Sequence, residues 1–87
     1  MLNRGMTMNQ NIIVYYINQM TLGDVKKLAN QYRVKLDDNE AKVILNFLKK
    51  NKMRISKENK NVLLKEAKPL LKKSTYDTLV LTIDKFL

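Results

Sequence analysis

The chain has 87 residues, of which 45% are hydrophobic, and a formal net charge of +9. This length fits one domain, and the apolar content supports a packed core, which excludes a disordered chain. Because Cys and His are both absent, disulfides, thiolate or imidazole metal sites and catalysis by those side chains are excluded. The longest apolar run, residues 12–17, is too short to span a membrane. A cytoplasmic location is therefore the default expectation.

Residues 1–8 are predicted to form a disordered lead. Residues 9–87 are predicted to form a single helical domain. The first helix is expected over residues 9–20, where Thr7 or Asn9 can cap its start. Its apolar residues recur at helical spacing, although the β-branched cluster 12–14 also fits a strand. The residues with that spacing are Ile13, Tyr16, Ile17 and Met20.

A second helix is predicted to begin after Thr21, whose hydroxyl can accept from the backbone N–H of Asp24 while Asp24 reaches back. This capping box uses Asp where Glu is usual. The expected buried stripe comprises Leu22, Val25, Leu28, Ala29 and Tyr32. Residues 34–36 then form a short extended linker.

The clearest helix is predicted over residues 38–50. Asp37 caps its start with Glu40, and Lys49 and Lys50 complement the negative end of its macrodipole. Its apolar side chains span about 200° of the helical wheel, more than one packing partner requires. We therefore expect this helix to be the central one. The apolar residues are Ala41, Val43, Ile44, Leu45, Phe47 and Leu48.

The next segment is predicted to begin with an extended linker, residues 52–55, after a left-handed stop at Asn51. The two linkers could pair through a few backbone hydrogen bonds. Ser56 is expected to cap a fourth helix, which Pro69 should kink or break near Lys68.

The last helix is predicted to start at Ser74, with Asp77 completing its capping box. Its expected core stripe contains Tyr76, Leu79, Val80, Ile83 and Leu87. The predicted fold is therefore all-α, a compact bundle of four to five short helices around the central helix.

Catalysis is not expected. Ser56 and Ser74 both occupy predicted caps, and the acidic group at residues 37–40 is explained by capping. A phosphate-binding loop needs several glycines, but the chain has only Gly5 and Gly23. We expect no cofactor and no small-molecule substrate.

Positive charge is concentrated in residues 35–73, which contain twelve Lys or Arg and five Asp or Glu. Such clustering can contact a phosphate backbone without sequence specificity. Alternatively, 14 Lys and 10 Asn against 3 Arg indicate compositional bias. The candidate anion or nucleic-acid contacts are Lys42, Lys49, Lys50, Lys52, Arg54, Lys57, Lys65, Lys68 and Lys72.

Tyr15 and Tyr16 point about 100° apart on a helix, so both cannot be central in one packing face. In the simpler interpretation one is core and the other is half-exposed. In the alternative, Tyr15 and Ile12 form an exposed patch for self-association or for a protein partner. The small size of the chain favours a homodimer.

From Met8 onward the chain has an N-terminal M-N-Q, a Thr-led helix ending near Q-Y, a short apolar linker, a second capped helix and a leucine- and lysine-rich third part. In these features it resembles a family of short, uncharacterised helical proteins from Gram-positive bacteria, a domain of unknown function. Gly23 departs from the Pro or Glu expected there. The resemblance implies no activity and no site residues. Residues 22–50 are also weakly similar to helix–extension–helix nucleic-acid modules.

The sequence therefore favours a non-catalytic protein-interaction or adaptor module, with an unidentified protein partner or a second copy of itself. The alternative is a nucleic-acid-associated protein that binds phosphates through its lysines.

Overall fold

The computed structural model describes residues 9–87, so the predicted lead over residues 1–8 lies outside the described residues. Between residues 9 and 87 the chain is helical and contains no β-strand, which confirms the all-α prediction. Five α-helices and two short 3-10 helices follow one another there: α1 (Gln10–Gln19), α2 (Leu22–Gln31), α3 (Asp38–Lys50), η1 (Lys52–Arg54), α4 (Lys60–Ala67), η2 (Lys68–Leu70) and α5 (Lys73–Phe86).

The first three helices begin at the caps that the sequence predicted. The Asn9 side chain accepts from the Ile12 N–H at the start of α1. Thr21 and Asp24 exchange both capping-box hydrogen bonds at α2. Asp37 and Glu40 do the same at α3, at 2.8 and 2.9 Å. Each box satisfies backbone N–H groups that have no partner inside the helix.

Helix α3 lies at the centre of the bundle, as predicted, and contacts α1, α2 and α5. Its residues Ala41, Ile44 and Leu48 are fully buried. Val43, which was expected in the core, is instead 45% exposed. The neighbouring helices therefore cover less of the apolar arc than its width suggested. The other helices and the linkers complete the core with Ile13, Ile17, Val25, Ala29, Leu36, Ile55, Leu63, Leu64, Ala67, Leu79, Ile83 and Phe86.

Helix α2 ends in a left-handed turn at Arg33, whose φ is 62°. The Arg33 N–H donates to the Asn30 carbonyl and the Val34 N–H to the Ala29 carbonyl, at 3.0 and 2.9 Å. This pair of bonds defines a Schellman motif, in which the left-handed position usually holds Gly. Arginine pays a steric cost there because its Cβ approaches the following carbonyl.

Replacing Arg33 with Gly is expected to stabilise the fold by about 1 kcal/mol, because it removes that steric cost. Arg33 is exposed, so little packing is lost. Arg33→Ala is the matched control, since it removes the charge but keeps the Cβ. Chemical denaturation should show a gain for the Gly variant alone, and an equal gain for both variants would contradict the conformational explanation.

Residues 52–54 form the 3-10 helix η1 rather than the predicted extended linker. The Arg54 N–H donates to the Asn51 carbonyl at 2.8 Å, which tightens the backbone immediately after α3. Asn51 has φ −110° and not the predicted left-handed conformation. With no strand in residues 9–87, the predicted pairing between the two linkers is wrong. Because alternation over four residues is a weak signal, local turn bonds determined this segment.

The two C-terminal helices do not begin where the predicted serine caps placed them: α4 begins later and α5 begins earlier. The Ser56 hydroxyl accepts from the Asn59 N–H at 3.2 Å, so it caps a turn, and α4 starts only at Lys60. The predicted break at Pro69 is confirmed, because α4 ends at Ala67 and η2 follows. Helix α5 starts at Lys73 with no side-chain cap, so the predicted Ser74 capping box is wrong.

Helix α5 buries three threonines in addition to its apolar stripe. The Thr78 and Thr82 hydroxyls donate to the carbonyls four residues earlier, at 3.0 and 2.7 Å. These bonds satisfy the hydroxyls without any partner from another helix. Tyr76 and Val80, which were expected in the core stripe, are only half-buried. The fully or nearly fully buried residues of α5 are Thr75, Thr78, Leu79, Thr82, Ile83 and Phe86.

Candidate interaction surfaces

Helix α1 presents an uncharged outer face. Along Gln10–Gln19 there is no acidic or basic residue, although 29% of the whole chain is charged. Ile12 is 43% exposed, Tyr15 62% and Tyr16 51%. We call the exposed residues on this side of the helix the α1 face; they are Asn11, Ile12, Tyr15, Tyr16 and Gln19.

Both tyrosines of the α1 face are exposed, so the expectation that one of them is core is wrong. Ile13 and Ile17 take the core positions instead, at 2% and 0% exposure. The rings of Tyr15 and Tyr16 contact each other edge to face, with centroids 5.9 Å apart. Tyr16 was not among the predicted patch residues, although it lies four residues after Ile12 and so shares its side of the helix.

Hydrogen bonds to η1 fix another side of α1, away from the α1 face. The Gln10 side chain donates to the carbonyls of Lys52 and Met53, at 3.2 and 2.8 Å. The Lys52 ammonium donates to Asn18 Oδ1 at 2.6 Å. Helix α1 is therefore fixed by the core on one side and by η1 on another, and no element within residues 9–87 covers the α1 face.

The predicted basic contacts divide into two groups. Four are engaged with other side chains: Arg54 with Glu66, Lys72 with Glu40, Lys52 with Asn18, and Lys68 over the Tyr76 ring at 6.0 Å. The other five are exposed on α3, on the turn before α4 and on α4; they are Lys42, Lys49, Lys50, Lys57 and Lys65. Acidic side chains therefore lie among the lysines and reduce the net positive potential.

Arg54 and Glu66 form a two-pronged ion pair that joins η1 to α4. The guanidinium nitrogens donate to the two carboxylate oxygens at 3.2 and 2.9 Å. This contact lowers the pKa of Glu66, with a smaller contribution from Lys50, and raises the pKa of Arg54. Both side chains are nearly half exposed, so solvent screens the pair and it orients the two elements more than it stabilises them.

Glu40 joins the starts of α3 and α5. Besides capping the Asp37 N–H, its carboxylate pairs with Lys72 and accepts from the Thr75 hydroxyl at 3.4 Å. The Lys72 hydrogen bond is the main cause that lowers the pKa of Glu40, followed by the Asp37 backbone bond. The pKa of Asp38 is lowered in the same way by Lys26.

Acid is expected to destabilise the protein through these carboxylates. A lowered pKa in the folded state means that the unfolded chain binds protons first, so stability falls as the pH drops below the ordinary Glu value of 4.5. In Glu40→Gln the fall should be shallower, because the titrating group is gone. Thermal melts between neutral pH and about pH 3 measure this slope.

Glu58→Gln is the matched control, since Glu58 is exposed and forms no ion pair within residues 9–87. Equal acid slopes for the two variants would contradict a special contribution from Glu40.

A shallow groove of about 310 Å³ lies between α3 and the segment from η2 to the start of α5. Its apolar wall contains Val43 and Leu70, which are 45% and 71% exposed, together with the half-buried Leu71. Asn39, Glu40, Lys72 and Thr75 form its polar end. The groove does not include the α1 face.

Within residues 9–87, no group of three or more acidic side chains is placed to hold a metal ion. No helix of that same segment is long and apolar enough to cross a membrane.

The fold and its surfaces define a small all-helical domain with a hydrophobic core, capped helices and an exposed aromatic face. The chain belongs to the family described as "Protein of unknown function (DUF2624)", which matches residues 6–87. This match confirms the resemblance to an uncharacterised family, while the Gram-positive origin stays a prediction. No curated protein and no solved structure matches significantly.

Proposed function

We propose that the protein is a non-catalytic interaction module of the cytoplasm, an adaptor that binds a protein partner through the α1 face. The observation that carries this proposal is the exposure of Ile12, Tyr15 and Tyr16 side by side on a helix without charge. In a chain of net charge +9, an uncharged aromatic face is the surface best suited to lose its water to a partner.

The physical properties of the two tyrosines suit this role. Tyrosine offers a large contact area and a polar hydroxyl at low entropic cost, and it is enriched among residues that dominate binding energy. The edge-to-face contact between the rings, at 5.9 Å, restrains both before any partner arrives. Less side-chain freedom is therefore lost on binding.

The non-catalytic assignment is supported by the roles of the two serines that could serve as nucleophiles. The Ser56 hydroxyl is used in a turn, Ser74 lies in the first turn of α5, and the chain has no His to activate either one. The cytoplasmic assignment is supported by a core of apolar side chains in a chain without Cys. Such a core needs no oxidising compartment.

Site-specific photo-crosslinking in cells of the source organism tests the proposal. A photoreactive phenylalanine analogue at position 15 should give one discrete protein adduct. The same analogue in place of Tyr32, a 45% exposed tyrosine at the end of α2, should give none. Adding Ile12→Lys should abolish the adduct at position 15. Absence of any adduct at position 15 would overturn the proposal.

The alternative function, contact with a nucleic-acid backbone, is favoured by five of the candidate lysines, which are exposed and are not held in an ion pair or over a ring within residues 9–87. They are Lys42, Lys49, Lys50, Lys57 and Lys65. The chain would then bind without sequence preference, and each neutralised phosphate would contribute about −0.9 to the slope of log affinity against log salt.

Titration against duplex and single-stranded DNA at low and moderate salt tests the alternative. Affinity should fall steeply with salt, and a variant with Lys42, Lys49 and Lys65 changed to Gln should show a shallower slope. The Lys27→Gln variant, on the exposed side of α2, is the control. No binding at low salt would remove this function.

A further inference from the structure

We infer that the partner of the α1 face is a second copy of this chain, with α1 of each copy paired about a two-fold axis near Tyr15. The inference rests on the proposed function, since it names the occupant of the same face. Three observations carry it: the charge distribution, the hydrogen-bonding character of the face and the spacing of its residues.

Charge selects the α1 face for self-association. A two-fold interface places a patch against itself, so a patch whose charges are mostly of one sign meets that same sign on the partner. Two chains of net charge +9 therefore repel each other across most of their surfaces. Among the five α-helices in residues 9–87, α1 alone contains no charged residue. An acidic partner, in contrast, would be drawn to the lysines and away from this face.

The polar groups of the α1 face are self-complementary. Asn11, Gln19 and the two tyrosines each carry both a hydrogen-bond donor and an acceptor. An identical surface can therefore satisfy them. Lysine carries only donors, so a face made mostly of lysines cannot satisfy itself in this way.

The spacing of the residues fits a two-fold axis at Tyr15. Asn11 and Gln19 lie four residues before and after Tyr15, about 6 Å along the helix in each direction. In an antiparallel pair Asn11 then lies opposite the partner's Gln19. Ile12 and Tyr16, which are also four residues apart, form the neighbouring row of side chains on the helix surface. Such rows interdigitate when two helices cross at about −50°.

The area of the face indicates a weak, reversible dimer. Tyrosine side chains bury about 150–250 Å² each, so Tyr15 and Tyr16, 62% and 51% exposed, offer roughly 200 Å² together. A stable interface buries about 800 Å² per partner. With Ile12 and the two amides added, the face still falls short of that area, so dimerisation should depend on concentration.

Sedimentation velocity of the full chain, from low micromolar to about millimolar concentration, measures this dependence. The wild-type mass should rise from 10.2 kDa towards twice that value. Tyr15→Lys places two like charges near the axis and should remain monomeric throughout. Tyr32→Lys, which adds the same charge at a tyrosine outside α1, should dimerise like the wild type.

A charge-swap experiment distinguishes loss of the dimer contact from misfolding of the variants. Tyr15→Lys and Tyr15→Glu should each be monomeric alone, and a 1:1 mixture should recover the dimer because opposite charges then meet near the axis. A wild type that stays monomeric at the highest concentration, or a mixture that stays monomeric, would overturn the inference. A crosslinked adduct at position 15 with another mass would still leave the proposed function standing, whereas no adduct would remove both.

Discussion

Replacing Ile44 with Ala is expected to lower the free energy of unfolding by about 3 kcal/mol, in the range for buried Ile-to-Ala changes. Ile44 is fully buried, on the helix that contacts α1, α2 and α5. Truncation leaves a cavity that three neighbouring helices cannot all fill. Because domains of this size have only a small net stability, a substantial unfolded population is expected at 37 °C.

Val43→Ala is the matched control for Ile44→Ala. Val43 is the adjacent residue of α3 and is 45% exposed, so its truncation should change stability by no more than about 0.5 kcal/mol. Urea denaturation followed by circular dichroism measures both variants. Similar losses at the two positions would show that α3 faces its neighbours differently from the arrangement described above.

Replacing Asn51 with Ala is expected to cost about 2 kcal/mol, because it removes a buried hydrogen-bonding side chain. Asn51 is only 7% exposed. Its amide donates to the Phe47 carbonyl at 2.9 Å and its oxygen accepts from Arg54 at 3.0 Å. The side chain thus closes α3 and holds the residue that pairs with α4.

Asn46→Ala, on α3, is expected to change stability in the opposite direction. Asn46 is exposed, and Ala has a higher helix propensity than Asn, so this variant should gain about 0.5 kcal/mol. Chemical denaturation of the two variants should therefore give shifts of opposite sign. If Asn51→Ala shifted stability as little as Asn46→Ala, the hydrogen bonds of Asn51 would not contribute to the folded state.

Predictions from capping patterns were correct at the starts of α2 and α3 and wrong at the start of α5. Thr21 with Asp24 and Asp37 with Glu40 act across three residues, so their pattern was sufficient to locate the starts of two helices. The prediction for Ser74 failed because α5 begins at Lys73. With that start, the Asp77 N–H points to the carbonyl four residues earlier, and the Asp77 carboxylate pairs with Lys73.

The candidate surfaces were only partly predictable. Ile12 and Tyr15 are exposed as the interaction hypothesis required, but Tyr16 was left out of the predicted patch because its helical spacing groups it with Ile13 and Ile17. Spacing shows that residues share a side, and it cannot show where a partner helix stops covering that side. The lysine set was found by composition, whereas its division by Glu40 and Glu66 required tertiary contacts.

The sequence by itself determined the all-α class, the capped starts of the first three helices, the central position of α3 and the break at Pro69. These features follow from backbone hydrogen bonding, apolar periodicity and the proline ring, which act within a few residues. Only the tertiary structure decided that η1 holds α1, that Val43 and both tyrosines stay exposed, and which lysines are paired. Those outcomes depend on which surfaces meet, because the burial of a side chain is determined by contacts with elements that are distant in the chain.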